Sequence, residues 1–161
     1  MQISSGCILP ALGPDEPSSD PKREALGIYN TQLFAALRDK FLAALTRRHC
    51  ELLSLASVIG GRSLYRQVYA GIRTVPLTGI LGSESRCCDF DRFFRPLQAR
   101  TKDRWLRVAV AMQKETPLPP VTLIQVGESY FVRDGHHRLS VAHALGQQYI
   151  EAEVTVWQVA R

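Results

Sequence analysis

The segment 134–138, which reads Asp-Gly-His-His-Arg, concentrates the residue types of this chain that are most able to do chemistry. A strand-like run, 129–133, precedes it, and a helix-like run, 139–145, follows it. Backbone N–H groups at the start of a helix have no partner inside the helix, so this position favours an anion, most often a phosphate. Gly135 allows close approach to a ligand, and Arg138 adds a fork of donors. The segment therefore predicts a site for a nucleotide or another phosphorylated molecule.

The polar side chains of this segment each have a chemical and a structural interpretation. His136 and His137 titrate near neutral pH, so they are candidate catalytic groups that move a proton, or else hydrogen-bonded structural histidines. Asp134 is a candidate Mg²⁺ ligand or a partner that orients His137, and the structural alternative is a cap of the following helix. Arg138 is a candidate phosphate ligand, and the alternative is an ion pair with a core carboxylate.

The first part of the chain is predicted to be helical. Residues 1–20 are rich in Pro, Gly, Ser and Asp and are typical of a flexible tail. A helix is predicted from the Asp-Pro pair at 20–21 to about Arg48, because Asp caps helices and Pro suits their first turn. Its core face is predicted from apolar residues at three- or four-residue steps, namely Leu26, Tyr29, Leu33, Leu37, Phe41 and Leu45. A second apolar run, 51–59, and a short helix over 62–72 are predicted to follow.

From residue 74 onward the pattern mixes strands and helices. The predicted elements are an edge strand at 75–77, a loop at 81–86, one helical turn at 89–94, a helix at 102–113, a hairpin of 121–126 with 129–133, and a half-buried strand at 149–159. We expect Trp105 and Phe131 in the core rather than as platforms for stacked bases. The chain is thus predicted to comprise a tail (1–20), a helical segment (21–73) and an α+β domain (74–161).

Charge and cysteine content limit the classes of partner and compartment. The net charge is +5, and residues 22–73 alone carry nine bases and three acids, or +6. This excess suits nucleic acid or an acidic partner, and a solvated helix face is the alternative. A second copy of the chain is a further candidate partner. No apolar run reaches the ~20 residues of a membrane span, and no signal peptide is expected. The four cysteines, Cys7, Cys50, Cys87 and Cys88, are interpreted as reduced thiols of a cytoplasmic protein.

The order of four segments resembles the ParB/sulfiredoxin superfamily over about Val75 to Val159. The segments are Leu-Pro-Pro-Val at 118–121, an aromatic strand after Gly127, the Asp-Gly-His-His-Arg turn, and Ile-Glu-Ala-Glu-Val at 150–154. The resemblance implies a small mixed sheet with packed helices. It also implies that the loop 82–86 and the turn face one pocket for nucleotide phosphates. The implied phosphate-binding residues are Ser83, Arg86, Gly135, His136, His137 and Arg138.

The chain also departs from known members of this superfamily. Sulfiredoxins carry a catalytic cysteine where this chain has His136, so reduction of a cysteine sulfinic acid is not expected. ParB partition proteins carry an arginine-rich turn and a later helix-turn-helix region, neither of which the sequence matches. Free-serine kinases of the superfamily have a similar Asp-Gly-His-His/x-Arg turn and an upstream catalytic glutamate. Glu84 is the candidate counterpart, acting as a base on an acceptor hydroxyl.

These observations predict a nucleotide-binding protein, with ATP, ADP or CTP and Mg²⁺ as the expected cofactors. The first hypothesis is a Mg-dependent phosphotransferase or nucleotide hydrolase. The alternative is a non-catalytic nucleotide-dependent regulator, or a DNA-binding ParB-like protein that uses the basic residues of 22–73. A nuclease ranks last, because no cluster of carboxylates for a two-metal site lies near the turn. A zinc site of His136, His137, Cys87 and Cys88 fits no known ligand spacing.

Overall fold

A computed structural model of the chain describes residues 20–46 and 52–160. The first helix begins at Pro21, as predicted. The Asp20 carboxylate accepts a hydrogen bond from the Lys22 N–H at 3.1 Å, and the Asp20 carbonyl accepts from Arg23 and Glu24. The cap predicted at this position is therefore confirmed. Most of the predicted tail and the end of the helix at Arg48 lie outside the described residues.

Four helices and six strands make up the described part of the chain. The helices are α1 (Pro21–Thr46), α2 (Leu55–Ile59), α3 (Lys102–Gln113) and α4 (His136–Ala144), with 3-10 turns at Leu77–Gly79 and Ala99–Thr101. The strands are β1 (Leu53–Ser54), β2 (Leu64–Pro76), β3 (Ile80–Ser83), β4 (Val121–Val126), β5 (Ser129–Asp134) and β6 (Tyr149–Val159). The predicted helix at 102–113, the hairpin and the final strand are confirmed.

The strands form one mixed sheet in the order β1-β3-β5-β4-β6-β2. The pairs β4–β5 and β2–β6 are antiparallel, and the pairs β1–β3, β3–β5 and β4–β6 are parallel. Apolar residues of the central strands, among them Leu123, Val132 and Val154, are fully buried against Leu139 of α4. A mixed sheet with packed helices and an N-terminal helix confirms the α+β fold class.

The helix α3 lies between α1 and α4 and joins them through Trp105. The Trp105 ring is fully buried, and it meets the Tyr29 ring of α1 edge to face at 5.4 Å between centroids. Its Nε1 donates a hydrogen bond to Ser140 Oγ of α4 at 2.9 Å. Trp105 and Phe131 are both core residues, as predicted.

The helix predicted over 62–72 is wrong, because these residues belong largely to the long strand β2. β2 pairs with β6 along almost its whole length, from Leu64 opposite Val159 to Pro76 opposite Tyr149. Irregular registers and a positive φ of 81° at Gly71 interrupt the alternation that would identify a strand. The predicted boundary between residues 73 and 74 therefore falls inside a strand of the main sheet.

Two short elements near the site also differ from prediction. The segment 81–86 is a loop only after Ser83, because its first residues complete strand β3. The segment 89–94 is not a helical turn. It folds back through a bridge between Phe90 and Pro96, and Phe94 takes a positive φ of 58°. In the described residues no helix is long and apolar enough to span a membrane.

The predicted core face of α1 is only partly correct. Tyr29 is buried as predicted, whereas the predicted core residues Leu37, Phe41 and Leu45 are 45%, 66% and 68% exposed. The other buried residues of α1 are alanines at positions 25, 36 and 43, while the predicted core residues Leu26 and Leu33 are partly buried against the cluster of Tyr29 and Trp105. Small side chains let a helix approach its neighbours closely, so the packed face does not need a large residue at every position.

We predict that Ser140→Ala lowers the free energy of unfolding by about 1–3 kcal/mol, because the buried Trp105 N–H loses its acceptor. Urea denaturation followed by tryptophan fluorescence measures the change. Ser63→Ala is the matched control, since Ser63 is exposed, and it should change stability by less than about 0.5 kcal/mol. Equal losses in the two variants would show that the buried hydrogen bond is not the cause.

Candidate functional site

The first turn of α4 presents unpaired backbone donors. The helix starts at His136, so both histidines and Arg138 belong to this turn rather than to the preceding loop. No side chain caps the turn, and the first amide with a backbone acceptor is that of Leu139, which bonds to the Gly135 carbonyl at 3.0 Å. Within the described residues, the N–H groups of positions 136–138 therefore remain available to an anion.

Gly135 makes the tight junction between β5 and α4. Its φ is 95°, a left-handed conformation that favours glycine. A Cβ atom at this position would lie 2.6 Å from Val121 Cγ1 and 3.0 Å from Arg138 Nη2. Both the backbone conformation and the lack of space beside Val121 therefore require glycine here.

Two adjoining cavities surround this turn. One has a volume of about 340 Å³ and is lined by Asp134 to Arg138, with Arg86 and Arg104 among the other lining residues. The second has a volume of about 450 Å³ and is lined by Arg86, Asp89, Arg100, Thr101, Arg104 and His137. Arg86, Arg104 and His137 line both, and we call the two cavities together the cleft. Its lining contains four arginines and two aspartates.

Arg104 is a cleft residue that sequence reasoning missed. It lies on α3, it is exposed, and it has no ion pair or hydrogen bond within the described part of the chain. Its neighbour Trp105 is fixed in the core, which leaves Arg104 at the rim of the helix that packs on α4. The sequence shows a basic residue beside a tryptophan that is expected in the core. Only the packing of α3 on α4 shows that this basic residue lies next to the turn.

The other arginines of the cleft have partners. Arg100 Nη2 contacts Asp89 Oδ1 at 2.6 Å, and Arg86 Nη1 contacts Asp89 Oδ2 at 3.5 Å. Asp89 is buried, so it holds both guanidinium groups at the cleft wall. Arg86, predicted as a phosphate ligand, is exposed and lines both cavities.

Arg138 is engaged in the structure around the cleft. Its Nη1 donates to the carbonyls of Pro119 and Pro120, the latter at 2.8 Å, and its Nη2 contacts Asp134 Oδ2 at 2.9 Å. The Arg138 side chain is only 13% exposed, whereas that of Asp134 is 64% exposed. Arg138 therefore ties the Pro-Pro segment before β4 to α4 and pairs with a surface carboxylate, not with a core one.

Ser83 is placed behind the cleft rather than in its lining. Its hydroxyl oxygen is fully buried, lies 2.7 Å from His136 Nε2, and accepts the N–H groups of Ser85 and Arg86 at 3.2 and 3.0 Å. These two N–H groups occupy the oxygen lone pairs, so the hydroxyl proton has two acceptors in reach, His136 Nε2 at 2.7 Å and the Val132 carbonyl at 3.4 Å, and the shorter contact favours donation to His136. This arrangement puts the proton of the neutral ring on Nδ1 and fixes the loop that carries Arg86.

Both histidines of the turn are neutral at physiological pH. Burial lowers the pKa of His136 to about 4, with the nearby Arg86 as the next cause. Burial also lowers the pKa of His137 to about 4, with Arg104 and then Arg86 adding to it. The Phe90 ring stacks on His136 and meets His137 edge to face, at centroid distances of 6.0 and 5.5 Å. His137 Nε2 is buried and has no hydrogen-bond partner among the described residues.

Glu84, the predicted counterpart of a kinase glutamate, does not line the cleft. Its carboxylate accepts two hydrogen bonds from the guanidinium of Arg133, at 2.9 and 3.1 Å. These bonds raise the pKa of Arg133. The structure therefore brings the two histidines, Arg86 and the turn together but leaves Glu84 outside.

The described residues offer limited ligands for a metal. They contain no group of three or more His, Cys, Asp or Glu side chains that could hold an ion, so the zinc set named above does not assemble. Neither Cys87 nor Cys88 forms a disulfide in the described structure, and the Cys87 thiol lies 3.9 Å from the Leu53 carbonyl and 3.7 Å from the Ser83 carbonyl. A Mg²⁺ ion that arrives with a nucleotide needs only one or two carboxylates. Asp134 fits that requirement, since its Oδ1 has no hydrogen-bond partner in the described structure.

The basic residues of 22–73 are divided between α1 and the region of β2. The Arg62 guanidinium donates to the carbonyls of Val58 and Ile59, and the Arg73 guanidinium donates to the carbonyl of Ala70. Arg47 and Arg48 lie outside the described residues. These bases do not form one helical arm, which was the expected shape of a nucleic-acid contact.

Comparisons with known proteins yield a distant likeness in fold. No family model and no curated protein matches the chain. A crystal structure of sulfiredoxin from Arabidopsis thaliana is similar to it, with a TM-score of 0.40 and 19% sequence identity. The match covers 52% of this chain and 82% of that one. What the site can bind is therefore inferred from the geometry of the cleft and not from this likeness.

We predict that Gly135→Ala lowers the free energy of unfolding by about 1–3 kcal/mol more than Gly127→Ala does. Both glycines have positive φ, but a Cβ at Gly127 would meet nothing within 4 Å, whereas one at Gly135 would collide with Val121. Comparison of the two variants thus separates the cost of the backbone conformation from the cost of the steric collision. Chemical denaturation of both variants measures the loss in free energy of unfolding, and equal losses would contradict a steric requirement at the turn.

We also predict that stability falls as the pH drops from 6.5 towards 4. In this range the unfolded chain protonates His136 and His137, whose pKa values are lowered from 6.5 to about 4 in the folded chain. Each histidine contributes a slope of up to about 1.4 kcal/mol per pH unit, and neither contributes above pH 6.5. Denaturation curves across this range should show a smaller slope for His137→Gln than for the wild type. An unchanged slope would mean that His137 is not the neutral, buried group described above.

Proposed function

We propose that the cleft at the start of α4 binds the phosphate groups of a nucleotide. The observation that carries this proposal is the uncapped first turn of α4, whose N–H groups have no partner in the described residues and whose residues line the cleft. A helix start of this kind attracts a phosphate through its donors and its dipole. Because the two histidines are neutral, the attraction for a phosphate comes from the backbone N–H groups and the arginines.

The charge of the cleft supports the same ligand class. Four arginines line it, and its two carboxylates are already paired with three of them. Arg104 is the remaining guanidinium, and no carboxylate in the described residues competes for it. A phosphate between Arg104, Arg86 and the helix start would receive charge-assisted hydrogen bonds from three directions. Two adjoining cavities also leave room for more than one phosphate.

A nucleotide is favoured over other phosphorylated molecules by the resemblance to the ParB/sulfiredoxin superfamily. ATP, ADP and CTP are the candidates that the resemblance implies. Asp134 is the residue that would share a Mg²⁺ ion with the phosphates, and that ion would neutralise part of their charge. His137 is the residue that would move a proton in a chemical step, since it lines both cavities of the cleft.

Nucleotide binding without turnover is the second candidate function. The Glu84 carboxylate is held by Arg133 and lies outside the cleft, so the expected base for an acceptor hydroxyl is absent from the wall of the site. A regulator would need the phosphate-binding turn but not this base. Turnover of the bound nucleotide therefore separates the two functions.

We predict that Arg104→Gln weakens nucleotide binding about 10- to 100-fold, because one charge-assisted hydrogen bond to phosphate is lost. Arg107→Gln is the matched control, since Arg107 lies on the same helix, is also exposed, and does not line the cleft. A thermal-shift panel of ATP, ADP, GTP, CTP and pyrophosphate, each with and without Mg²⁺, measures binding through the rise in Tm.

Equal weakening by the two variants would indicate unspecific attraction to a basic helix, and no shift with any nucleotide would contradict the proposal. For a nucleotide that binds, release of phosphate or its transfer to an acceptor identifies an enzyme. An enzyme should lose turnover in His137→Asn and keep it in Glu84→Gln. A nucleotide that binds and stays intact identifies the regulator. Salt-dependent DNA binding in the absence of nucleotide would instead favour the basic residues of 22–73.

A further inference from the structure

Helix α1 carries apolar side chains on two opposite sides. Its inner side packs on the protein through Tyr29 and the alanines at 25, 36 and 43. At about 100° per residue, Phe34, Leu37, Phe41 and Leu45 lie on the other side of the helix. Their exposed fractions are 71%, 45%, 66% and 68%, and we call these four residues the outer seam. A helix that is apolar on both sides is typical of one that is buried on both sides.

The outer seam is large enough to need a partner. Single exposed apolar residues are common on protein surfaces, but a continuous patch of this kind marks an interaction site. With Leu42, which is 50% exposed beside it, the seam presents roughly 500 Å² of apolar surface, given the usual area of such side chains. Two such patches buried together amount to roughly 1,000 Å², the lower limit for a specific interface.

We propose that a second copy of this chain covers the outer seam, with the two α1 helices antiparallel about a two-fold axis. Positions 34, 37 and 41 follow the a and d spacing of a helix pair, with Leu45 one residue beyond the next d position. An antiparallel pair that sets Leu37 opposite Phe41 sets Phe34 opposite Ala44, with Leu45 beside it. The small Ala44 leaves room for the Phe34 ring to pack against Leu45.

The charges beside the seam are compatible with two identical partners. Arg38 pairs with Asp39 of the same helix at 3.0 Å, and Asp39 is also held by Arg95 at 2.7 Å. Arg38 and Asp39 are thus neutralised within one copy. Lys40, which is exposed and has no ion pair in the described residues, has a long stem that lets its charge reach solvent at the edge of the helix pair. About a two-fold axis the same patch of each copy contacts that of the other. Both patches are then buried, so association stops at a dimer and does not continue into a filament. The proposal is independent of the cleft, which is built from α3, α4 and the loop after β3.

Sedimentation equilibrium of the full chain tests the proposal. The chain has a mass of 18.0 kDa, and we expect the wild type to sediment at twice that mass. Phe41→Glu should weaken self-association at least about 100-fold, because it would place two carboxylates in an apolar seam. Tyr65→Glu is the matched control: Tyr65 of β2 is 67% exposed and lies outside the seam, so this variant should remain a dimer.

A second measurement shows whether each variant still folds. Melting curves by circular dichroism should show a Tm that rises with protein concentration for the wild type and Tyr65→Glu, but not for Phe41→Glu. If Phe41→Glu does not fold, Leu45→Glu near the end of α1 takes its place. A wild type that is monomeric at about 100 µM, where any dimer with a Kd well below that concentration would be populated, would overturn the proposal. A dimer that survives both seam variants would overturn it as well.

Discussion

The buried hydrogen bond between Ser83 and His136 is the contact on which the rest of the candidate site depends. It joins the end of β3 to the first residue of α4 across 53 positions of sequence, at 2.7 Å. The same hydroxyl accepts the N–H groups of Ser85 and Arg86. One serine therefore fixes both the loop that carries an arginine of the cleft and the helix that offers its free N–H groups. The arrangement requires a neutral His136, and burial secures this by lowering the pKa of the ring.

The arginines around α4 divide into those that hold the structure and those that can act on a ligand. Arg138 satisfies two proline carbonyls and Asp134, so moving it towards a phosphate would leave those carbonyls without their donor. Arg104 gives up no such bond. Its place at the rim follows from Trp105, which is locked between Tyr29 and Ser140. The packing of three helices thus positions the most available cation of the cleft.

The elements that sequence reasoning predicted correctly are those with local signals. The helix at 102–113 and the β4–β5 hairpin have clear periods and are bounded by proline or glycine. β2 has no such signal, because most of its residues are exposed and Gly71 disturbs its alternation. Its pairing with β6 involves residues some 80 positions away, which a local pattern cannot reveal. The apolar spacing correctly predicted that α1 is a helix. It did not predict which side is packed, because alanines lie on much of that side and several large apolar residues lie on the other.

Glu84 lies outside the cleft, although the residue before it, Ser83, contacts the first residue of α4. Successive side chains along a strand point to opposite faces of the sheet. Ser83, at the end of β3, faces α4, and the ladder to β5 continues through the bond from the Glu84 N–H to the Val132 carbonyl. Glu84 is therefore directed to the opposite face, beside Arg133 of β5. The geometry that gives His136 its buried serine also removes the adjacent carboxylate from the cleft.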